Sequence, residues 1–150
     1  MQTRSGDLIA LAIAGEFDVI IHGCNCQHTM GAGIAKQIKA RFPAAFAADC
    51  ATPKGASKLG QISTAQVDCN GHPLVIVNAY TQNHWRGKGV LADYAAIRAA
   101  MQQVKAQFAG KRIGYPKIGA GLAGGDWATI TQIIDEELAG EQHTLVLYQA

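Results

Sequence analysis

The chain has 150 residues, 49% apolar and 16% charged, with 13 Lys and Arg against 11 Asp and Glu for a net charge of +2. A chain of this length buries roughly two thirds of its unfolded surface in one domain, so Cys24, Cys26, Cys50 and Cys69 are not required as disulfide staples. The small net charge, without a Lys/Arg stripe, argues against nucleic acid as a partner. Met1 is followed by polar Gln2, Thr3 and Arg4, and no apolar stretch nears the roughly 18 residues of a membrane span. The expectation is a soluble protein of the reducing cytoplasm, with no membrane partner.

In chain order, Gly6-Asp7 interrupts an apolar beginning, and Leu8 to Ala14 is too short and uniformly apolar for periodicity to decide between strand and helix. Asp18 to His22 is a β-rich run bounded by Gly15-Glu16 and Gly23, and reads as a central buried strand. From Ile34, the positions Ile34, Ala35, Ile38 and Phe42 keep helical spacing, with Lys36, Lys39 and Arg41 on the wet side, until Pro43 ends the helix. Ala44 to Cys50 reads as a second short helix, and Thr52 to Ser57 has loop composition. Gln61 to Val67 alternates as a half-buried strand, Asn70-Gly71 marks a hairpin turn, and Pro73 to Ala79 returns. The loop Tyr80 to Gly89 leads into Val90 to Phe108, where Ile97, Met101, Val104 and Phe108 predict a helix capped by Gly110. Arg112 to Ile118 is a further strand, Gly119 to Gly125 a glycine-rich loop, and Asp126 the N-cap of a helix over Trp127 to Leu138. Thr144 to Gln149 closes the chain as a strand.

Strands alternating with helices predict an α/β fold with a central sheet covered on both faces, mixed because of the hairpin. Ligands in such folds sit beyond the carboxyl ends of strands. Two glycine loops follow strands directly, at Gly31-Ala32-Gly33 and at Gly119 to Gly124, so both are expected to face one crevice. A tight turn alone also uses glycine. What distinguishes the first loop is the polar run Asn25 to Thr29 before it and the helix after it, because unpaired N–H groups and the helix dipole then converge on one place. The ligand should carry phosphate. The second loop fits the GxGxxG pattern of dinucleotide enzymes, yet only one helix and a strand ending Leu147-Tyr148-Gln149 follow, with no acid for a ribose. Its anion-binding role is kept, and a nicotinamide cofactor is rejected.

His22, Cys24, Cys26 and His28 form an H-x-C-x-C-x-H row. The loop after Cys24 breaks the strand alternation, and zinc-binding cysteines are usually about two to four residues apart, so buried thiols and a hydrogen-bonded histidine are expected rather than a metal. A strand-buried Cys24 also lacks the accessible, electropositive setting of a nucleophile. Asp7 reads either as a turn residue or as an acceptor for an amino group on a base. His84 and Trp85 offer a stacking or lid element.

These residues resemble the macrodomain, the family that binds ADP-ribose, across residues 1–150 as a single domain. Four pieces carry the likeness: Gly6-Asp7-Leu8, the Asn25 loop into Gly31-Ala-Gly-Ile34, Val75 to Gln82, and Ile118-Gly-Ala-Gly-Leu-Ala-Gly-Gly-Asp-Trp127. The resemblance implies a three-layer α/β/α fold on a mixed sheet of about six strands. It assigns adenine recognition to Asp7, with Leu8 beside it among the binding residues. It places the diphosphate and distal ribose between Gly31, Ala32, Gly33, Ile34 and the loop Gly119, Ala120, Gly121, Leu122, Ala123, Gly124. It implies that Asn25 holds the distal ribose and, as in hydrolytic members, helps place the attacking water. The HGCNC run is similar to the branch with ADP-ribose 1''-phosphate phosphatases and terminal ADP-ribose glycohydrolases. Glycohydrolases that use a lysine have it where this chain has Gln82, and an acid where it has Ala123. Neither replacement forms a lysyl adduct or donates a proton.

Three function classes follow. The first is a hydrolase removing the 1''-phosphate, or another substituent, from the distal ribose of an ADP-ribose derivative, with Asn25 positioning and His28 or His22 moving a proton. The second is a module that binds free or protein-attached ADP-ribose without turnover. A chain with no attached partner module favours the enzyme. The third, an RNA-binding α/β domain, is disfavoured by the charge balance. No cofactor and no metal are expected.

Overall fold

The computed structural model describes residues 1–149. In chain order the elements are β1 (Gln2–Gly6), α1 (Leu8–Ile13), β2 (Val19–Asn25), α2 (Gly33–Arg41), α3 (Pro43–Cys50), a 3-10 turn (Ala56–Lys58), β3 (Ile62–Cys69), β4 (His72–Gln82), α4 (Tyr94–Phe108), β5 (Arg112–Tyr115), α5 (Trp127–Glu137) and β6 (Gln142–Tyr148). The strands form one six-stranded sheet in the order β1-β6-β5-β2-β4-β3. Only β3 is antiparallel to its neighbour, because it joins β4 through Asn70 and Gly71, both at positive φ.

Successive side chains of the central strands enter different layers. Val19 and Ile21 of β2, with Val77 and Ala79 of β4, pack on Ile97, Met101 and Val104 of α4 and Ile130, Ile133 and Ile134 of α5. Ile20 and Cys24, with Ile76 and Tyr80, pack on Leu8, Ile9 and Ala12 of α1, Ile38 of α2 and Ala45 of α3. Burial on both faces explains why Val19 to Ile21 reads as a continuous apolar run.

The segment left open at Leu8 is a helix, and the reason lies just before it: Asp7 Oδ1 accepts the Ala10 N–H at 3.0 Å as an N-cap. Asp93 does the same for Ala96 at 2.9 Å, so the helix expected from Val90 begins only at Tyr94. The strand expected to reach Ile118 stops at Tyr115, before Pro116. β4 continues past Ala79 to Gln82. β1 has no counterpart among the predicted elements. Its polar QTRSG sequence shows no alternation, and it is a strand because it pairs in parallel with β6, Gln2 opposite Thr144 through Gly6 opposite Tyr148.

For the site, the decisive pairing is β2 with β5, parallel neighbours in register at Val19–Ile113 and Ile20–Gly114. The two glycine loops therefore leave the same sheet edge side by side.

Candidate functional site

A cavity of about 650 Å³ opens at that edge. Asn25, Thr29 and Gly31 to Ala35 line it from the β2 side, Pro116 to Gly119 and Gly121 to Ala123 from the β5 side, and Gln82 and Trp85 from the end of β4.

Asn25 is the last residue of β2, at a register shift against β4. Its Oδ1 accepts the Gln27 N–H at 2.9 Å, and its Nδ2 donates to Thr29 Oγ1 at 2.7 Å. This is an Asx turn that fixes the amide and leaves one of its two N–H groups free. The loop is also held from outside. Cys26 N–H donates to the Asn83 carbonyl at 3.0 Å, Gly55 N–H to the Cys26 carbonyl at 2.8 Å, and Gln27 Nε2 to the Asn83 side chain at 3.1 Å. His28 and Met30 take left-handed φ values of 57° and 40°, uncommon for non-glycine residues. His28 is kept there by its Nε2–H, which donates to the Thr52 carbonyl at 2.8 Å.

That support rests in turn on a buried polar cluster. Lys58 Nζ, on a side chain 3% exposed, donates to Asp49 Oδ1 at 3.2 Å and Thr52 Oγ1 at 2.8 Å. Tyr80 O–H donates to the same Asp49 oxygen at 2.8 Å, and Ser63 Oγ lies 2.7 Å from the phenol. Asn78 donates to the Ala45 carbonyl and to Ser63, and its Oδ1 lies 2.6 Å from His22 Nε2.

The second loop folds on itself through Gly125 N–H to the Gly119 carbonyl, 2.7 Å, and Gly124 N–H to the Gly121 carbonyl, 3.1 Å. A Cβ at Gly125 would lie 2.5 Å from the Gly119 oxygen, so the turn requires glycine there. Leu122, 77% exposed, reaches from this loop to within 3.8 Å of where a Cβ on Gly33 would stand. Gly33 itself has φ +58° and opens α2, whose N-cap Ala32 offers no side-chain bond to the first-turn N–H groups.

The cavity brings together Asn25, Gly31, Ala32, Gly33, Ile34, Gly119, Gly121, Leu122 and Ala123. Ala120 and Gly124 belong to the loop but do not line it. Leu8 is buried in the core, and Asp7 borders a separate depression of about 410 Å³ with Ile9, Ala10, Ile13, Gln37, Ala40 and Arg41. Beside Asp7, Tyr148 stands 73% exposed, opposite Gly6 in the β1–β6 register.

Neither histidine considered for proton transfer lines the cavity. His22 is fully buried, and desolvation pushes its pKa down to about 4 against the hydrogen bond to Asn78. His28 is turned to Thr52. Cys24 borders the cavity, but burial raises its thiol pKa well above the ordinary value, which opposes a thiolate nucleophile. Among the described residues, the lining includes no carboxylate and no imidazole; its one charged side chain is Lys117.

Thr29, Met30 and Lys117 were not singled out by sequence. Their loops have no period, and the left-handed residues at 28 and 30 set where the side chains go. Only the Asn25-to-Thr29 polar run hinted at the Asx turn.

Charge is unevenly placed along the chain. Residues 31–41, 82–92 and 116–125 carry Lys36, Lys39, Arg41, Arg86, Lys88 and Lys117, and no acid. The rest of the chain has seven cations against all eleven acids, a net of −4. Asp93 and Asp126, which directly follow two of these stretches, have side chains committed to helix N-caps.

The Macro domain family model matches residues 21–134. An uncharacterized 17.5 kDa protein from the tk-vs intergenic region of Enterobacteria phage T4 is 36% identical over 136 residues, covering 87% of this chain and 84% of that protein. The DNA ADP-ribosyl glycohydrolase of Mycobacterium tuberculosis is 31% identical over 132 residues, 85% of this chain but only 36% of that protein's length. Among solved structures, the macrodomain of Thermus aquaticus DarG superposes with a TM-score of 0.77 at 25% identity, over 99% of this chain and 97% of that one. The macrodomain of Mycobacterium tuberculosis DarG gives 0.73 at 27%, over 100% and 98%.

Proposed function

This chain belongs to the macrodomain family, and on that premise we propose that its cavity binds ADP-ribose and hydrolyses an ADP-ribose derivative at the anomeric carbon of the distal ribose. The observation that carries the reading is the junction of the two glycine loops over one cavity with the oriented Asn25 amide at its edge. The diphosphate lies between the N-terminus of α2 and the loop Gly119 to Ala123, where backbone N–H groups complement its charge. The free Asn25 N–H meets the distal ribose. The adenine goes toward Asp7, with the exposed Tyr148 ring available for stacking.

The chain's own residues bind, orient and screen. The bond from the anomeric carbon to its substituent breaks, the oxygen of one water joins that carbon, and the proton released leaves with the departing group. Gln82 and Ala123 supply neither an amine nor an acid, so a lysyl adduct cannot form at position 82. The HGCNC run favours phosphate as the departing group; the named activity of the mycobacterial relative favours removal of ADP-ribose from a larger carrier. The lack of any carboxylate or imidazole in the lining favours a second reading, a binding module.

Calorimetry with ADP-ribose tests the shared core, and absence of binding at millimolar ligand refutes it. Phosphate release from ADP-ribose 1''-phosphate and ADP-ribose release from ADP-ribosylated oligonucleotide or protein then separate the substrates. Asn25→Ala is expected to lower the productive rate by about 100-fold, the scale of one lost positioning group. A parent without turnover on any of these leaves the binding module.

A further inference from the structure

Thr29 lines the cavity with Asn25, and the chemistry assigned so far leaves its hydroxyl proton unused. The turn that carries it is pinned on both sides. His28 before it and Met30 after it are both left-handed, His28 tied to the Thr52 carbonyl and Met30 buried in the core at 3% exposure. Such backbone persists only where its surroundings over-determine it, so the position of Thr29 is set by its neighbours. Hydrogen-bond accounting then fixes what the residue presents. Asn25 Oδ1 accepts the Gln27 N–H, which excludes the flipped amide, because a flip would set the Nδ2 donors against that N–H. Nδ2 therefore donates to Thr29 Oγ1, at 2.7 Å, and the hydroxyl acts there as acceptor. Among the described residues no acceptor takes the Thr29 proton, and one Asn25 Nδ2–H is also unused.

Resting on the reading that ADP-ribose fills the cavity with its distal ribose at Asn25, we propose that Thr29 determines specificity for that sugar: Asn25 and Thr29 form a two-pronged clamp on its vicinal hydroxyls. The free Nδ2–H meets one hydroxyl, and the Thr29 O–H meets the other. Three observations converge on this chemistry. Both prongs line the same cavity. Their heavy atoms stand 2.7 Å apart, close to the separation of two hydroxyl oxygens on neighbouring ring carbons, so a cis-diol fills both and a lone hydroxyl leaves one unpaired. The pair is also aligned in advance, and so loses little further freedom when the sugar arrives. The bond between the prongs strengthens the second of them, because a hydroxyl that accepts a hydrogen bond is a better donor. The clamp requires both ring hydroxyls to be free, and a sugar lacking or acylated at either leaves a polar group unmatched. The anomeric oxygen is then the one distal position open to a substituent, which is where the proposed hydrolysis takes place.

The test is calorimetry on the full chain with ADP-ribose and with its two analogues lacking the 2''- or the 3''-hydroxyl. The parent should bind both analogues more weakly than ADP-ribose. Thr29→Val, similar in volume and equally β-branched, should weaken ADP-ribose binding about 2- to 12-fold, the scale of one neutral hydrogen bond, and Thr29→Ser should restore most of it. The distinguishing result is a ligand dependence: the loss in Thr29→Val should largely vanish with the analogue that lacks the hydroxyl held by Thr29, and persist with the other. An unchanged melting temperature shows that the variant is folded. An equal loss on all three ligands in folded Thr29→Val would reduce Thr29 to a support for Asn25 and overturn the clamp, as would unchanged affinity for ADP-ribose. Either of those results leaves the cavity reading intact, whereas a parent that binds none of the three ligands refutes the cavity reading and the clamp together.

Discussion

Gly121 and Gly33 separate two ways of losing a phosphate site. A Cβ on Gly121 meets nothing within 4 Å, so Gly121→Val is expected to melt within about 0.5 kcal/mol of the parent while ADP-ribose binding is lost to calorimetry. Gly33→Val forces a branched side chain to φ +58° and should lose stability as well, by about 1–3 kcal/mol. Retained affinity in folded Gly121→Val would contradict the diphosphate path. His28 gives a second discrimination. If its role is the Thr52 clamp, His28→Asn, tolerant of left-handed backbone, keeps more activity than His28→Ala and neither variant shifts the pH–rate profile. Loss of one limb of that profile would restore His28 as a proton carrier. His22 has a stability signature of its own. Its folded pKa of about 4 lies below the ordinary 6.5, so the unfolded chain takes up the proton first. The stabilisation is full above pH 6.5 and declines as pH falls toward 4, by about 3 kcal/mol in all. His143, also lowered by burial, adds in the same direction, so His22→Gln should flatten denaturant-midpoint profiles over that window only in part. An unchanged slope would assign the whole effect elsewhere.

Among the elements, α3 and the 3-10 turn after it are joined by the buried Asp49–Lys58 pair, with Asp49 Oδ2 left without a partner. Removing one member strands the other charge away from water. Lys58→Met is expected to cost about 3–5 kcal/mol in urea denaturation, and Asp49→Asn added to it should recover much of that. An additive double mutant would show the pair uncoupled. Because this cluster anchors Thr52, and Thr52 anchors His28, the single variant should also loosen the Asn25 turn, visible as faster amide exchange at Gln27 and Thr29. The elements themselves were legible wherever a period existed. β2, the β3–β4 hairpin, α2, α4 and α5 follow from spacing and turn residues within a few positions. β1 was invisible because its identity comes from β6. The cavity's composition was legible in its glycines, but the direction of Thr29 and Lys117 was not, since two left-handed residues and a proline-led loop set those directions.

Over the whole molecule, the sum of charges conceals their arrangement: within the same +2, residues 31–41, 82–92 and 116–125 hold six cations and no acid, with Lys117 lining the cavity and Arg41 the depression beside Asp7. The arrangement predicts that KM for a polyanionic ADP-ribose carrier climbs steeply with added salt, while the affinity for ADP-ribose, with its two phosphate charges, changes far less. Parallel salt responses would mean that the outer cations do not take part. The overall architecture was readable because strand–helix alternation and one hairpin leave few arrangements for a mixed sheet. Leu122 adds something the layout does not announce. Standing exposed on one glycine loop, it reaches to within 3.8 Å of where a Cβ on Gly33 would stand on the other. In the proposed binding mode the diphosphate passes beside this side chain. On that binding mode, shortening the side chain with Leu122→Ala should speed ligand dissociation in stopped-flow displacement more than it weakens affinity.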